Sequence, residues 1–310
     1  MINFEPINQT KLYGLEKYFL ELVSIYERNN FPSKIVFNGL KGIGKSTLAY
    51  HFINYVLSKD ETFKYDINNF EINPESHTFK TIINKTNTNL NIIDINRDKK
   101  NIDINQIREL IQKINKSSFN NKPRFILIDN IEFLNINSIN ALLKILEEPN
   151  KNNYFILIKN DKKTLSTLSS RCINYKISLT HEESIQIVNN LLNGKLEEIL
   201  NEDLLNYYST PGNIYNLVKF AEDNKFDLKK IDLKTFLKII KKENYYKKNF
   251  KLKILLFDLI EFYFRKINSS FSIDLMNKYS YFLKRISDTK KYNLDEEALF
   301  IEFTEEILNG

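Results

Sequence analysis

The chain has 310 residues, 42% of them hydrophobic and 27% charged, with a formal net charge of +6. That apolar share excludes global disorder, and no apolar run reaches the ~18 residues a membrane helix needs. A lone Cys172 excludes a disulfide framework and a multi-cysteine zinc site, and suits a reducing compartment. The opening stretch, MINFEPINQTKLYG, lacks the basic-then-apolar pattern of a secretion leader, so the expectation is a cytoplasmic protein. Lys, Asn, Ile, Tyr and Phe are abundant, the residues that AT-rich codons encode. The basic balance therefore counts for little as evidence of nucleic-acid binding.

In chain order, KIVFN (34–38) predicts a strand, GLKGIGKST a glycine turn, and TLAYHFINYVL a helix. TFKTIIN (78–84) is a weaker strand candidate near a sheet edge. A helix is predicted over 103–117, then a strand at RFILID (124–129). A second helix is predicted over 138–148, with Asn137 as N-cap and Pro149 as stop. YFILI (154–158) and CINYKI (172–177) are further strands. Their continuous apolar character predicts burial on both faces of a parallel sheet. Strands alternating with helices define an α/β domain over residues 1–178. Beyond it the strand signal stops. Three short helices at 181–193, 195–207 and 212–222, the first capped by Thr180, give a small helical lid domain over 179–225. Longer aromatic-rich helices fill an all-helical domain over 226–310. The Lys-rich stretch 229–253 reads as a solvated helical face.

Three of the seven glycines fall at positions 39, 42 and 44. Gly39-Leu40-Lys41-Gly42-Ile43-Gly44-Lys45-Ser46 fits the phosphate-loop pattern G-x-x-x-x-G-K-[ST], for which chance gives about 0.002 matches in a chain of this composition. Glycines let backbone N–H groups wrap phosphate oxygens, and the following helix N-terminus favours an anion. Lys45 would reach the terminal phosphates and Ser46 would hold Mg²⁺. The alternative is a tight strand-to-helix turn. The candidate nucleotide contacts are Gly39, Gly42, Ile43, Gly44, Lys45, Ser46 and Thr47.

Asp129 closes the strand RFILID, where a phosphate-loop protein keeps its second Mg²⁺-organising carboxylate. Otherwise it caps a turn. The next residue is Asn130, where a hydrolytic site usually carries a Glu. Glu132, three residues past Asp129, would face the opposite side if the strand continued. Asn160, after YFILI, is either a polar sensor of the γ-phosphate or a turn residue. His51, His77 and His181 are scattered and suggest no catalytic triad. Cys172 reads as a small buried hydrophobe.

NALLKILEEP (140–149), followed by Ser170-Arg171-Cys172 after the two nucleotide motifs, resembles the bacterial sliding-clamp loaders of the AAA+ class. The motifs cover residues 1 to about 220, and the rest matches through helical layout. The resemblance implies an AAA+ phosphate-loop domain with a parallel sheet, a helical lid and an all-helical collar. It implies a DNA polymerase III clamp-loader subunit, with ATP and Mg²⁺ as cofactors. Its partners would be other loader subunits in a hetero-pentamer, the sliding clamp and, through the complex, primer-template DNA. Arg171 would be an arginine finger projecting into a neighbour's ATP site. Its guanidinium stays charged and matches phosphate geometry; locally it is an Arg in a pre-strand turn. Family members carry a lid Arg near Thr210-Pro211-Gly212-Asn213, where Asn213 and Tyr215 stand here. Together with Asn130, this points to ATP bound but turned over weakly or not at all. A self-sufficient AAA+ ATPase and a scaffold with a vestigial pocket are the alternatives.

Overall fold

The computed structural model describes residues 5–95, 101–115, 120–147, 152–160, 166–206, 209–245, 250–267, 273–292 and 294–308. Five strands form one sheet: β1 (Lys34–Asn38), β2 (Leu90–Ile93), β3 (Arg124–Ile128), β4 (Asn153–Lys159) and β5 (Ile173–Lys176). Their order is β2-β3-β4-β1-β5, and every neighbouring pair is parallel. Parallel pairing needs crossover connections, which bring helices onto both faces. On one face, Ile126 and Ile128 of β3 and Phe155 and Leu157 of β4 pack with Leu110 of helix α4 (Ile104–Ile114) and Leu142 of α5 (Ile136–Glu147). The opposite face is aromatic. Phe125 of β3 stacks on Tyr154 of β4 and meets Phe52 of α2 (Lys45–Leu57) edge-on. All five residues of β3 are buried, as the apolar run predicts.

Three expectations change. Residues 78–84 are not an edge strand: α3 spans His77–Ile83 and buries Thr78, Phe79 and Ile82. That spacing fits a helical stripe, and the Ser76 side chain caps the helix by accepting from the Phe79 N–H. The sheet edge on that side is instead β2. β5 is a strand, but only its inner edge is paired, and Ile173 is 57% exposed. Helix α5 starts at Ile136, and its N-terminal N–H acceptor is Asn135, not Asn137: the Ser138 N–H donates to Asn135 Oδ1 at 2.8 Å. Pro149 lies outside the described residues.

The chain divides into two compact units, Met1–Ile187 and Val188–Gly310. Helix α7 (His181–Leu192) begins with a reciprocal cap. The Glu183 N–H donates to Thr180 Oγ1 and the Thr180 N–H to a Glu183 carboxylate oxygen. Among its described residues, the regular elements of the second unit are all helices. The long helices Phe250–Ile267 and Ile273–Tyr292 meet through the rings of Phe264, Tyr279 and Phe282. Among the described residues no helix is long and apolar enough to cross a membrane.

Candidate nucleotide-binding site

The loop between β1 and α2 needs glycine at three places for two different reasons. Gly42 and Gly44 have φ of 90° and 93°, in the left-handed region that a side chain disfavours. At Gly39 the constraint is space, because a Cβ there would meet the Ile177 carbonyl oxygen at 2.3 Å. Ile43 is buried beneath the loop, where its Cδ1 would lie 2.7 Å from that same Cβ. Gly44 is the N-cap of α2 and offers no side chain to its first turn, so that turn is set up to meet an anion. Lys45, Ser46 and Thr47 form the turn. Lys45 is 3% exposed, and its ammonium donates to the carbonyls of Gly39 and Leu40 at 2.7 and 2.6 Å. The cation is therefore held inside the loop.

Asp129 follows β3 directly, and Ser46 Oγ donates to its Oδ2 at 2.6 Å. The backbone N–H of Asn130 donates to the other carboxylate oxygen at 2.7 Å. Burial pushes the Asp129 carboxyl up to about 6 despite the Ser46 hydrogen bond; the charge of Asp94 adds to the rise, while Asn130 and Lys45 oppose it. Two hard oxygen donors converge here with negative charge that is poorly hydrated. That is a donor set suited to Mg²⁺, which would relieve the charge.

β3 ends at Ile128, and Asn130 takes φ of 56°, turning the chain into a short 3₁₀ helix over Ile131–Phe133. The strand does not continue, so Glu132 does not point to the far face. It comes round to Asn160, at the end of β4, whose side-chain amide donates to Glu132 Oε1 at 2.9 Å. The same amide donates to Asn130 Oδ1 at 3.0 Å, and the Asn130 amide donates to Asp94 Oδ1 at 2.8 Å. Asp94, just past β2, has no counterpart in the sequence reading. Its signal was present but unread: LNIID repeats the apolar-run-then-Asp pattern of RFILID.

Arg171 lies between α6 (Ser166–Ser169) and β5. It pairs with Glu147 at the end of α5, Nη2 to Oε1 at 2.8 Å, and also donates from Nη1 to the Thr167 carbonyl. Cys172 is half-buried against the core, and burial pushes its thiol up to about 11, so it is no nucleophile. Burial also takes the His51 imidazole down to about 3, where its Nδ1 meets the Tyr65 hydroxyl at 2.9 Å. It is a neutral core residue. Asn213 and Tyr215 lie on the helix Pro211–Asp223 of the second unit.

A glycine loop on β1, an Asp at the end of β3 and the order β2-β3-β4-β1-β5 define an α/β phosphate-loop fold of the AAA+ class. A DNA polymerase III gamma subunit-related protein from Thermotoga maritima shares the fold. Its TM-score is 0.51 at 18% identity, over 92% of this chain and 97% of that one. The sequence pattern of the family described as DNA polymerase III, delta subunit, matches residues 14–181, and the chain belongs to that family. It is 29% identical to the DNA polymerase III subunit delta' of Buchnera aphidicola from Schizaphis graminum, over 90% of this chain and 84% of that protein. The delta' subunit of the Acyrthosiphon pisum symbiont is 26% identical, over 90% and 88%. The gamma/tau subunit of Mycoplasma genitalium is 28% identical, over 56% of this chain but only 28% of its own length.

Proposed function

We propose that the chain is a clamp-loader subunit of DNA polymerase III that binds Mg–ATP at its own phosphate loop and lends Arg171 to a neighbouring subunit. The observation that carries the nucleotide reading is the Ser46–Asp129 contact beside the glycine loop. It places a hydroxyl, a carboxylate and the buried Lys45 ammonium around the N-terminus of α2. In this reading the Gly39–Thr47 segment cradles the phosphates, Lys45 neutralises them, and Ser46 and Asp129 hold Mg²⁺. Asn160 senses the γ-phosphate. Mg²⁺ would supply charge neutralisation between phosphate oxygens.

Because Asn130 follows Asp129, ATP acts here mainly as a bound ligand that stabilises the assembled state by mass action. The partners are other loader subunits, the sliding clamp and, through the complex, primer-template DNA in the cytoplasm. The division of labour is a phosphate-loop domain (1–178), a helical lid (179–225) and an oligomerising collar (226–310). Equilibrium titration of the full chain with labelled ATP tests the binding. Micromolar affinity lost in Lys45→Ala supports it, and binding that Lys45→Ala leaves unchanged overturns it.

A further inference from the structure

In the register of the sheet, Lys159 of β4 pairs with Asn38 of β1. The residues that follow, Asn160 and Gly39, therefore leave adjacent strands side by side. Asn160 is thus at the mouth of the phosphate loop, yet both protons of its side-chain amide already have acceptors. One goes to Asn130 Oδ1 at 3.0 Å and the other to Glu132 Oε1 at 2.9 Å. The backbone N–H of Asn160 reaches the second oxygen of Glu132 at 3.4 Å. Asn130 is in turn tied to Asp94 at 2.8 Å. A γ-phosphate can recruit the Asn160 amide only by taking it from one of these acceptors. The bond to the Glu132 carboxylate is the charge-assisted one and so the stronger.

We propose that Glu132 sets the preference between nucleoside triphosphate and diphosphate at this site, by holding the Asn160 amide that a γ-phosphate would otherwise engage. The inference rests on the nucleotide-binding reading above and deepens it. A diphosphate has no γ-phosphate to present, so its binding leaves the Glu132–Asn160 pair intact. A triphosphate must take the amide from Glu132 or share it against the pull of that carboxylate by displacing Asn130, and part of its extra contact is spent on doing so. Discrimination is therefore weaker than an unencumbered Asn would give. Glu132 is a positioning residue in this account, acting on the nucleotide through Asn160.

The test is titration of the full chain with Mg–ATP and Mg–ADP, in the wild type, Glu132→Ala, Glu132→Gln, Asn160→Ala and the Glu132→Ala/Asn160→Ala double variant. Removing the carboxylate should tighten ATP by roughly tenfold, the scale of one charge-assisted hydrogen bond, with ADP unchanged within about twofold. Glu132→Gln preserves the side chain's shape and guards against misfolding; it should move the ATP/ADP ratio the same way by a smaller factor. Asn160→Ala should bring ATP affinity towards that of ADP and cancel the Glu132→Ala gain in the double variant. Three results overturn the inference alone: ATP and ADP shifting together, ATP weakening in Glu132→Ala, or the gain surviving without Asn160, which would make it simple charge repulsion. A wild type with no Lys45-dependent binding would overturn the underlying reading as well.

Discussion

Arg171 and Glu147 form an ion pair, Nη2 to Oε1 at 2.8 Å, that joins the two motifs carrying the clamp-loader resemblance. Glu147 belongs to NALLKILEEP and Arg171 to Ser-Arg-Cys. Their side chains are 54% and 35% exposed, so solvent screening limits the pair to about 1 kcal/mol or less of stability. The exchange of Glu147 for a phosphate is correspondingly cheap. Arg171→Ala should leave the melting temperature of the free chain within a few degrees. In a reconstituted loader it should lower clamp-dependent ATPase by about tenfold or more, because an arginine finger acts on the charge of the transferred phosphoryl group. Unchanged ATPase would remove the trans role from Arg171.

Asp129 is raised to about 6, mainly by burial, and the direction of its effect on stability is opposite to that of a salt-bridged carboxylate. The folded state binds the proton more tightly than the unfolded chain. The charge therefore weakens the free protein above pH 6, and stability is regained as pH falls from 6 towards 4. Asp129→Asn should raise the stability of the nucleotide-free chain at pH 7 by at most about 3 kcal/mol. It should also flatten that pH dependence and abolish Mg²⁺-dependent ATP binding. In the wild type, Mg–ATP affinity should fall as pH drops below 6, when the carboxyl protonates. Denaturant melts at pH 4.5 and 7 with both proteins read the first effect directly; an Asn variant that is less stable at pH 7 would contradict it.

The parts of the fold that were legible in the sequence were those fixed by local pattern. β1, β3 and β4 are apolar runs, and the phosphate loop is spelled by glycines that a Gly-poor chain spends on positive φ and close approach. What was missed depended on tertiary position. Nothing in INYK says that β5 is an edge strand and half solvated, because that follows from the sheet order. TFKTII carries β-branched residues that favour a strand, but the Ser76 cap and burial of Phe79 and Ile82 make it a helix. Glu132 was misplaced for a backbone reason. Asn130 enters the left-handed region and breaks the alternation that would have sent Glu132 to the far face. The arrangement around Asn160 exists only because of that one turn.

Gly39 and Gly44 should fail differently when each is changed to Ala. At Gly44 the penalty is mainly backbone strain from φ of 93°, with a contact at 2.9 Å to Leu15 Cδ1, the end of a side chain, which a small rotation relieves. About 1–2 kcal/mol is expected. At Gly39 the φ is ordinary, but the added Cβ would meet a backbone carbonyl, which must move with the chain leaving β5. That overpacking should cost about 2–3 kcal/mol. Urea unfolding of the two variants checks the order, and a Gly39→Ala chain more stable than Gly44→Ala would show that the β5 connection yields easily.

Glu61 is the anchor of the segment between α2 and α3. Its carboxylate accepts from the Thr78 hydroxyl at 2.5 Å, the Thr78 N–H at 3.1 Å and the Ser76 hydroxyl at 2.8 Å, so it sits over the N-terminus of α3. Burial raises its pKa, but the hydrogen bonds from Thr78 and Ser76, with the charge of Lys122, bring the net value below the usual carboxylate range. A depressed carboxylate contributes stability that is present above its unfolded value and lost as pH falls through the folded one. Glu61→Ala should therefore destabilise the chain at pH 7 by about 1–3 kcal/mol, the scale of hydrogen bonds to a charged group. The difference from wild type should shrink as pH falls through the depressed folded value, where the wild-type carboxyl is itself protonated. Hydrogen exchange at the amides of 77–83 gives the local reading: protection there should drop in Glu61→Ala while that of β3 changes only with global stability. Equal loss across both segments would mean that Glu61 supports the whole domain and not α3 in particular.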